Sequence, residues 1–177
     1  GVFDDLEHFL NETGSPIAGI SLLNAPRNTP LYHRLEKEGR LVKREFSGEW
    51  QLATNIIPKQ MSADTLVQNY LKLFRKLYDP LAFEDRFFNW LNQVDYYYSG
   101  YDNKKLDPKQ LKFGFRIFRQ FLVYENKEVR KLFFRMLRKT WRINPKLMKR
   151  FFTVITQFKH FYNFVNMMDV NHSASAE

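Results

Sequence analysis

Apolar residues fall at helical spacing over Val2 to Thr13, at Phe3, Leu6, Phe9 and Leu10, and Gly14 ends the run. Pro16 to Leu22 has a different pattern, a short apolar stretch with β-branched and small members that reads as a strand. A polar loop, Leu23 to Thr29, leads out of it. Thr29-Pro30 then starts a helix, with a capping hydroxyl and proline at the first helical position, and Gly39 stops it after Glu38. Helix, glycine turn, strand and helix make one step of a parallel barrel or a doubly wound sheet. A single step leaves the strand's backbone groups without partners, so the strand needs a neighbour. After a turn at Phe46 to Trp50, the arm Gln51 to Ile57 is one candidate to pair with Ile17 to Leu22. A second copy of the chain at the open edge, giving a homodimer, is the other.

From Ser62 the pattern is helical nearly to the end. Ser62 caps a helix to about Tyr78, and Asp79-Pro80 starts one through Tyr98. Asp107-Pro108 starts a third to about Tyr124, and Asn126 a fourth to about Trp141. Asn144 with Pro145 starts the last, to about Met168. Each proline sits where its missing N–H costs nothing, which makes these pairs strong start signals. The predicted fold is mainly α, a bundle of about five helices behind a small αβα leader that is the remnant of a barrel edge. The predicted organisation is a leader and linker over 1–61, a bundle over 62–170 and a fraying tail over 171–177.

The 177 residues include 18 Phe, 9 Tyr and 3 Trp but only 7 Gly and 7 Pro, which favours helices packed through large rings over a turn-rich sandwich. The chain contains no cysteine. A disulfide framework, thiol catalysis and a thiolate-held metal site are thereby excluded from it. His8, His33, His160 and His172 have no metal-ligand spacing, so no metal site is expected. Asp4-Asp5 and Glu84-Asp85 are adjacent residues on different helix faces and form no carboxylate dyad. No phosphate-binding glycine loop or nucleophile elbow is present. The start at Gly1, with a helical pattern already running and no signal-peptide core, leads to the expectation of a soluble cytoplasmic fragment.

Charge is placed unevenly: residues 1–100 carry a net −2 and residues 101–177 a net +11, within a total of +9. The basic half interleaves Lys112, Arg116, Arg119, Lys127, Arg130, Lys131, Arg135, Arg138, Lys139, Arg142, Lys146, Lys149 and Arg150 with phenylalanines and Trp141. Such a face suits nucleic acid, an anionic lipid surface or a protein partner. The rings recur at helical spacing, as in Phe151-Ile155-Phe158-Tyr162, so most are expected in the core. A solvated basic face around that core is the simpler reading, which weighs against nucleic acid and leaves a membrane surface open.

The run Leu22 to Leu41, together with Thr54-Asn55-Ile56-Ile57-Pro58-Lys59-Gln60-Met61-Ser62 and Tyr78-Asp79-Pro80, resembles the region that follows the catalytic barrel in radical S-adenosylmethionine proteins carrying a cobalamin-binding domain. The likeness covers approximately Val2 to Arg86. It implies a parent Fe-S oxidoreductase or methyltransferase that uses a [4Fe-4S] cluster, S-adenosylmethionine and cobalamin, and acts by methyl transfer or another rearrangement of an unreactive carbon. None of the family's cluster cysteines is in this chain, so no catalytic residue and no cofactor is carried over. The resemblance implies a non-catalytic accessory domain whose partner is the parent's own barrel. Asn24, Arg27, Asn28 and Thr29 would then lie on a loop at the C-terminal end of a barrel strand, facing substrate or cofactor, with Asn55 and Lys59 making polar contacts nearby. Read without the resemblance, Asn24 to Thr29 is turn chemistry leading to an N-cap, and Asn55 and Lys59 belong to a packed linker.

Overall fold

A computed structural model describes residues 1–42, 54–93 and 108–174. The described chain contains α1 (Val2–Glu12), α2 (Pro30–Lys37), α3 (Ala63–Leu77), α4 (Pro80–Gln93), α5 (Pro108–Val123), α6 (Lys127–Ile143) and α7 (Met148–Ala174), the last preceded by a 3-10 turn at Pro145–Leu147. It is the expected mainly helical bundle, and α3 to α7 are the helices expected from Ser62 onward. The residues form two compact units, one of Gly1 with Ala18–Leu73 and one of Val2–Ile17 with Phe74–Glu177.

The helix starts are local. Ser62 Oγ accepts from Thr65 N at 3.0 Å, and Asp79 Oδ1 from Leu81 N and Ala82 N at 3.0 and 3.1 Å. Asn126 Oδ1 accepts from Val129 N at 2.9 Å, and Asn144 Oδ1 from Lys146 N at 3.0 Å. Each side chain satisfies amides that have no partner inside the helix. At the end of α2, Gly39 N donates to Glu36 O and Arg40 N to Leu35 O, with Gly39 at φ +66, so the last carbonyls are satisfied by a left-handed glycine. Two boundaries differ from expectation: α6 runs on to Ile143 and α7 to Ala174.

The expected strand at Pro16 to Leu22 does not form, and the described residues contain no strand. A strand exists only where another backbone accepts its hydrogen bonds. Here the segment is held through side chains. Within the first unit, Tyr70 Oη donates to Ile20 O at 2.8 Å and Thr54 Oγ1 to Leu23 O at 2.7 Å. The expected pairing of the arm with Ile17 to Leu22 is also replaced. Residues 54–57 join the stretch after α2, in an isolated antiparallel bridge between Leu41 and Ile56, with Val42 N to Asn55 O and Ile57 N to Arg40 O both at 2.9 Å. The turn expected at Phe46 to Trp50, the start of the arm at Gln51 and the α4 extension to Tyr98 lie outside the described residues.

In the second unit α7 is the spine. Phe151, Ile155 and Phe158 repeat along one face and are fully buried. Phe158 stacks on Phe83 of α4 at 4.2 Å, and Phe151 meets Phe87 of α4 at 6.2 Å and Phe133 of α6 at 5.6 Å. Further along, Phe161 stacks on Tyr78 at 4.7 Å, while Phe121 of α5 stacks on Phe133 at 4.5 Å. Such ring pairs contribute about 0.5–1.5 kcal/mol each beyond the area they bury. The loop after α1 passes close to α4: Gly14 has φ +62, and a Cβ there would lie 3.1 Å from Trp90 N. Lys76 Nζ to Glu7 Oε2, at 2.6 Å, ties α1 to the end of α3. Contrary to the helical pattern, Phe9 is exposed.

Candidate functional site

The loop after residue 22 is built around Asn55. Its Oδ1 accepts from Ala25 N at 2.8 Å and its Nδ2 donates to Ala25 O at 2.7 Å, so one side chain occupies both backbone groups as a neighbouring strand would. Ala25 is buried. Thr29 caps α2, accepting from Tyr32 N at 3.2 Å, and donates through the same hydroxyl to Pro26 O at 2.7 Å. Asn28 stands before it at φ +64, a left-handed conformation that asparagine tolerates better than most residues. Arg27 and Asn28 are exposed, and Asn24 is half-buried with its Oδ1 sealed from solvent and without a hydrogen-bond partner.

Lys59 lies at a different point. Its Nζ is 3.8 Å from Glu38 Oε2, the carboxylate that Arg40 also holds at 2.9 Å. Arg40 in turn donates to Ile57 O through Nε at 3.1 Å and Nη2 at 2.9 Å. Hydrogen bonding from Arg40 is the largest effect on the Glu38 carboxyl and lowers it below its ordinary value of 4.5; burial opposes it, and the charges of Lys59, Arg40 and Arg34 add to the lowering. Of the candidate residues on the leader, Asn55 and Thr29 build backbone and Lys59 joins an ion-pair cluster. Arg27 and Asn28 face solvent beside the half-buried Asn24.

The basic candidates Arg130, Lys131, Arg135, Arg138, Lys139 and Arg142 lie on α6, and Lys149 and Arg150 on α7. They are not equivalent. Glu84, almost wholly buried on α4, takes a two-pronged grip on Arg135, with Nε at 2.8 Å from Oε1 and 2.7 Å from Oε2 and a further bond from Nη2 to Oε2. One turn along both helices, Lys139 Nζ sits 3.7 Å above the Phe88 ring. Arg135 and Lys139 therefore latch α6 to α4. Arg130 donates to Glu125 O at 2.9 Å. Arg138 and Arg142 form no ion pair among the described residues, and with Phe134, Arg135 and Lys139 they line a cleft of about 490 Å³.

A second concavity, of about 410 Å³, opens between α5 and the start of α7, walled by Leu111, Phe115, Phe118, Met148 and Phe152 and edged by Lys149. Helical spacing predicts most rings of this half in the core. Phe121, Phe133 and Phe151 are there, but Phe113, Phe115 and Trp141 are exposed. The spacing of Leu111, Phe115, Phe118 and Leu122 marks a second apolar stripe on α5 beside the buried Ile117 and Phe121, and that signal was available in the sequence. The Glu84 to Arg135 pairing had none.

Among the described residues no group of three His, Asp or Glu side chains is placed to hold a metal ion. Residues 29–174 match the model of the domain of unknown function DUF4070. Over 88 residues the chain is 35% identical to a protein of Synechocystis sp. named an uncharacterized methyltransferase, a match that takes in 49% of this chain and 16% of that protein. The chain thus corresponds to a small part of that relative's length. No solved structure matches it. With most of its length inside the family model, the chain belongs to the DUF4070 domain family.

Proposed function

We propose that the chain is a non-catalytic C-terminal accessory domain of a cobalamin-type radical S-adenosylmethionine enzyme, covering the mouth of the catalytic barrel and contributing to substrate access. The observation that carries this reading is the family match over 29–174, since domains of this family occur in radical S-adenosylmethionine and cobalamin-binding proteins. Two further points support it. The runs Leu22 to Leu41 and Thr54 to Ser62 resemble in sequence the region that follows the barrel in that family, although no barrel strand forms at 16–22, and the Synechocystis relative, named an uncharacterized methyltransferase, is several times longer than the shared segment.

The residues present do not fit an iron–sulfur cluster. The chain has no cysteine, and its described carboxylates and imidazoles do not cluster. The cluster and its chemistry would reside in the parent's other domains, and no step of it runs through these side chains. What this chain supplies is an aromatic-cored helical bundle and a loop pinned by Asn55, which presents Arg27 and Asn28 at its surface.

The test uses the parent protein. Its coding sequence is expected to hold a Cys-x3-Cys-x2-Cys motif upstream of Gly1. Deleting the bundle from Ser62 is expected to leave the cluster absorbance and the slow reductive cleavage of S-adenosylmethionine in place while abolishing product formation. Lack of the motif, or a stoichiometric cluster forming on the 177-residue chain itself, would overturn the proposal.

A further inference from the structure

The apolar groove and the cationic cleft adjoin. Phe118 lines the groove, Phe134 lines the cleft, and their rings meet edge to face at 5.6 Å, so an apolar surface passes directly into a cationic one. On α5, Leu111, Phe115, Phe118 and Leu122 recur at intervals of four, three and four residues and so share one narrow face. Leu111, Phe115 and Leu122 are 57%, 69% and 45% exposed, in addition to the core face that α5 makes with Ile117 and Phe121. The same helix carries four cations, Lys109, Lys112, Arg116 and Arg119, and no carboxylate.

On α6 the cations follow one another a turn apart, from Lys127 through Lys131 and Arg135 and from Arg138 to Arg142. Like charges at this spacing repel and weaken the helix that carries them. Glu84 relieves one of them; Lys127, Lys131, Arg138 and Arg142 have no ion pair among the described residues. A negatively charged partner would remove the repulsion.

We propose that this combined face docks the protein on an anionic membrane surface. The α5 stripe enters the boundary between headgroups and acyl chains, and the α6 cations lie against the headgroups. Phenylalanine and leucine flanked by Lys and Arg on a partly exposed helix is the chemistry of an interfacial helix. No helix among the described residues is long and apolar enough to cross a membrane, so the contact is peripheral. Nucleic acid fits less well, because the outermost positions include Leu111 and Leu122, which offer no ring for a base to stack on. The proposal does not depend on the radical-enzyme reading.

Co-sedimentation of the 177-residue chain with vesicles tests it. Binding is expected to mixed phosphatidylcholine–phosphatidylserine vesicles and not to phosphatidylcholine alone. Phe115→Glu, and separately Arg138→Glu with Arg142→Glu, are expected to weaken binding by at least about tenfold. These side chains are exposed, and unchanged circular dichroism verifies that the variants fold. Leu81→Glu, an equally exposed apolar residue on α4, is expected to bind as the unaltered chain does. Absence of binding to the mixed vesicles, or equal loss in the Leu81 variant, overturns the proposal. So does saturable binding to a labelled duplex oligonucleotide that competes with vesicles and ignores Phe115→Glu.

Discussion

Asn55 does the work of a missing strand neighbour. Its amide engages both backbone groups of Ala25, thirty positions away, at 2.7 and 2.8 Å. Truncation to alanine would leave a donor and an acceptor of a buried residue unsatisfied, which costs about 1–3 kcal/mol per group. Asn55→Ala is therefore expected to lower the urea midpoint by an amount equivalent to about 2 kcal/mol or more. Asn55→Asp, which keeps the acceptor for Ala25 N but loses the donor to Ala25 O, should be intermediate or worse. An Asn55→Ala midpoint within error of the unaltered chain would show that the clamp contributes nothing. At the same scale, Arg135 and Lys139 differ from Arg138 and Arg142 although all four are basic residues on one helix. Burial of Glu84 and the Phe88 ring assigns the first pair to structure, and solvent exposure leaves the second pair available.

At the scale of elements, the polar stretch that follows α2 is held by Glu38, Arg40 and Lys59 around the C-terminus of that helix. A carboxyl held below its ordinary value contributes stability that is complete above that value and is lost as pH falls through the depressed folded one. The Glu38 contribution should thus persist at pH 5 and above and disappear only in acid below its ordinary 4.5. Carboxyl NMR titration is expected to give Glu38 a midpoint below that of an unpaired glutamate, and Arg40→Ala should return most of the difference, since Arg40 is the largest cause. A Glu38 midpoint unmoved by Arg40→Ala would contradict this account. The pair is exposed enough that its role is in positioning the arm rather than in global stability.

Across the whole second unit, α7 receives rings from α4 and α6 along one buried face, and α5 adds Phe121 through Phe133, so stability there depends on a few large side chains. Phe158 is fully buried and stacks on Phe83 at 4.2 Å. Phe158→Ala is expected to cost about 3–5 kcal/mol, read from chemical denaturation, with a loss of less than about 1 kcal/mol excluding this packing. Leu81→Ala, with its side chain exposed on the same helix as Phe83, provides the comparison and should be close to neutral.

Helix identity and helix starts follow from the amino-acid order alone. Ser62, Asp79, Asn126 and Asn144 each bond amides two or three residues ahead, and the prolines after Asp79 and Asn144 need no partner, so all the required groups lie within one turn. The lack of cysteine likewise rules out a thiolate site on this chain from composition alone. The segment at 16–22 has the composition of a strand, yet a strand is a relation between two backbones; here Tyr70 and Thr54 side chains take the partner's place along this stretch, and no ladder forms. The division of the basic half follows the same logic. Glu84 and Arg135 are 51 residues apart, and only packing of α4 against α6 brings them together, leaving Arg138 and Arg142 exposed in the neighbouring cleft. Periodicity and capping act over a few residues and can be read in order along the chain, whereas burial and charge pairing join distant positions and arise only when the helices meet.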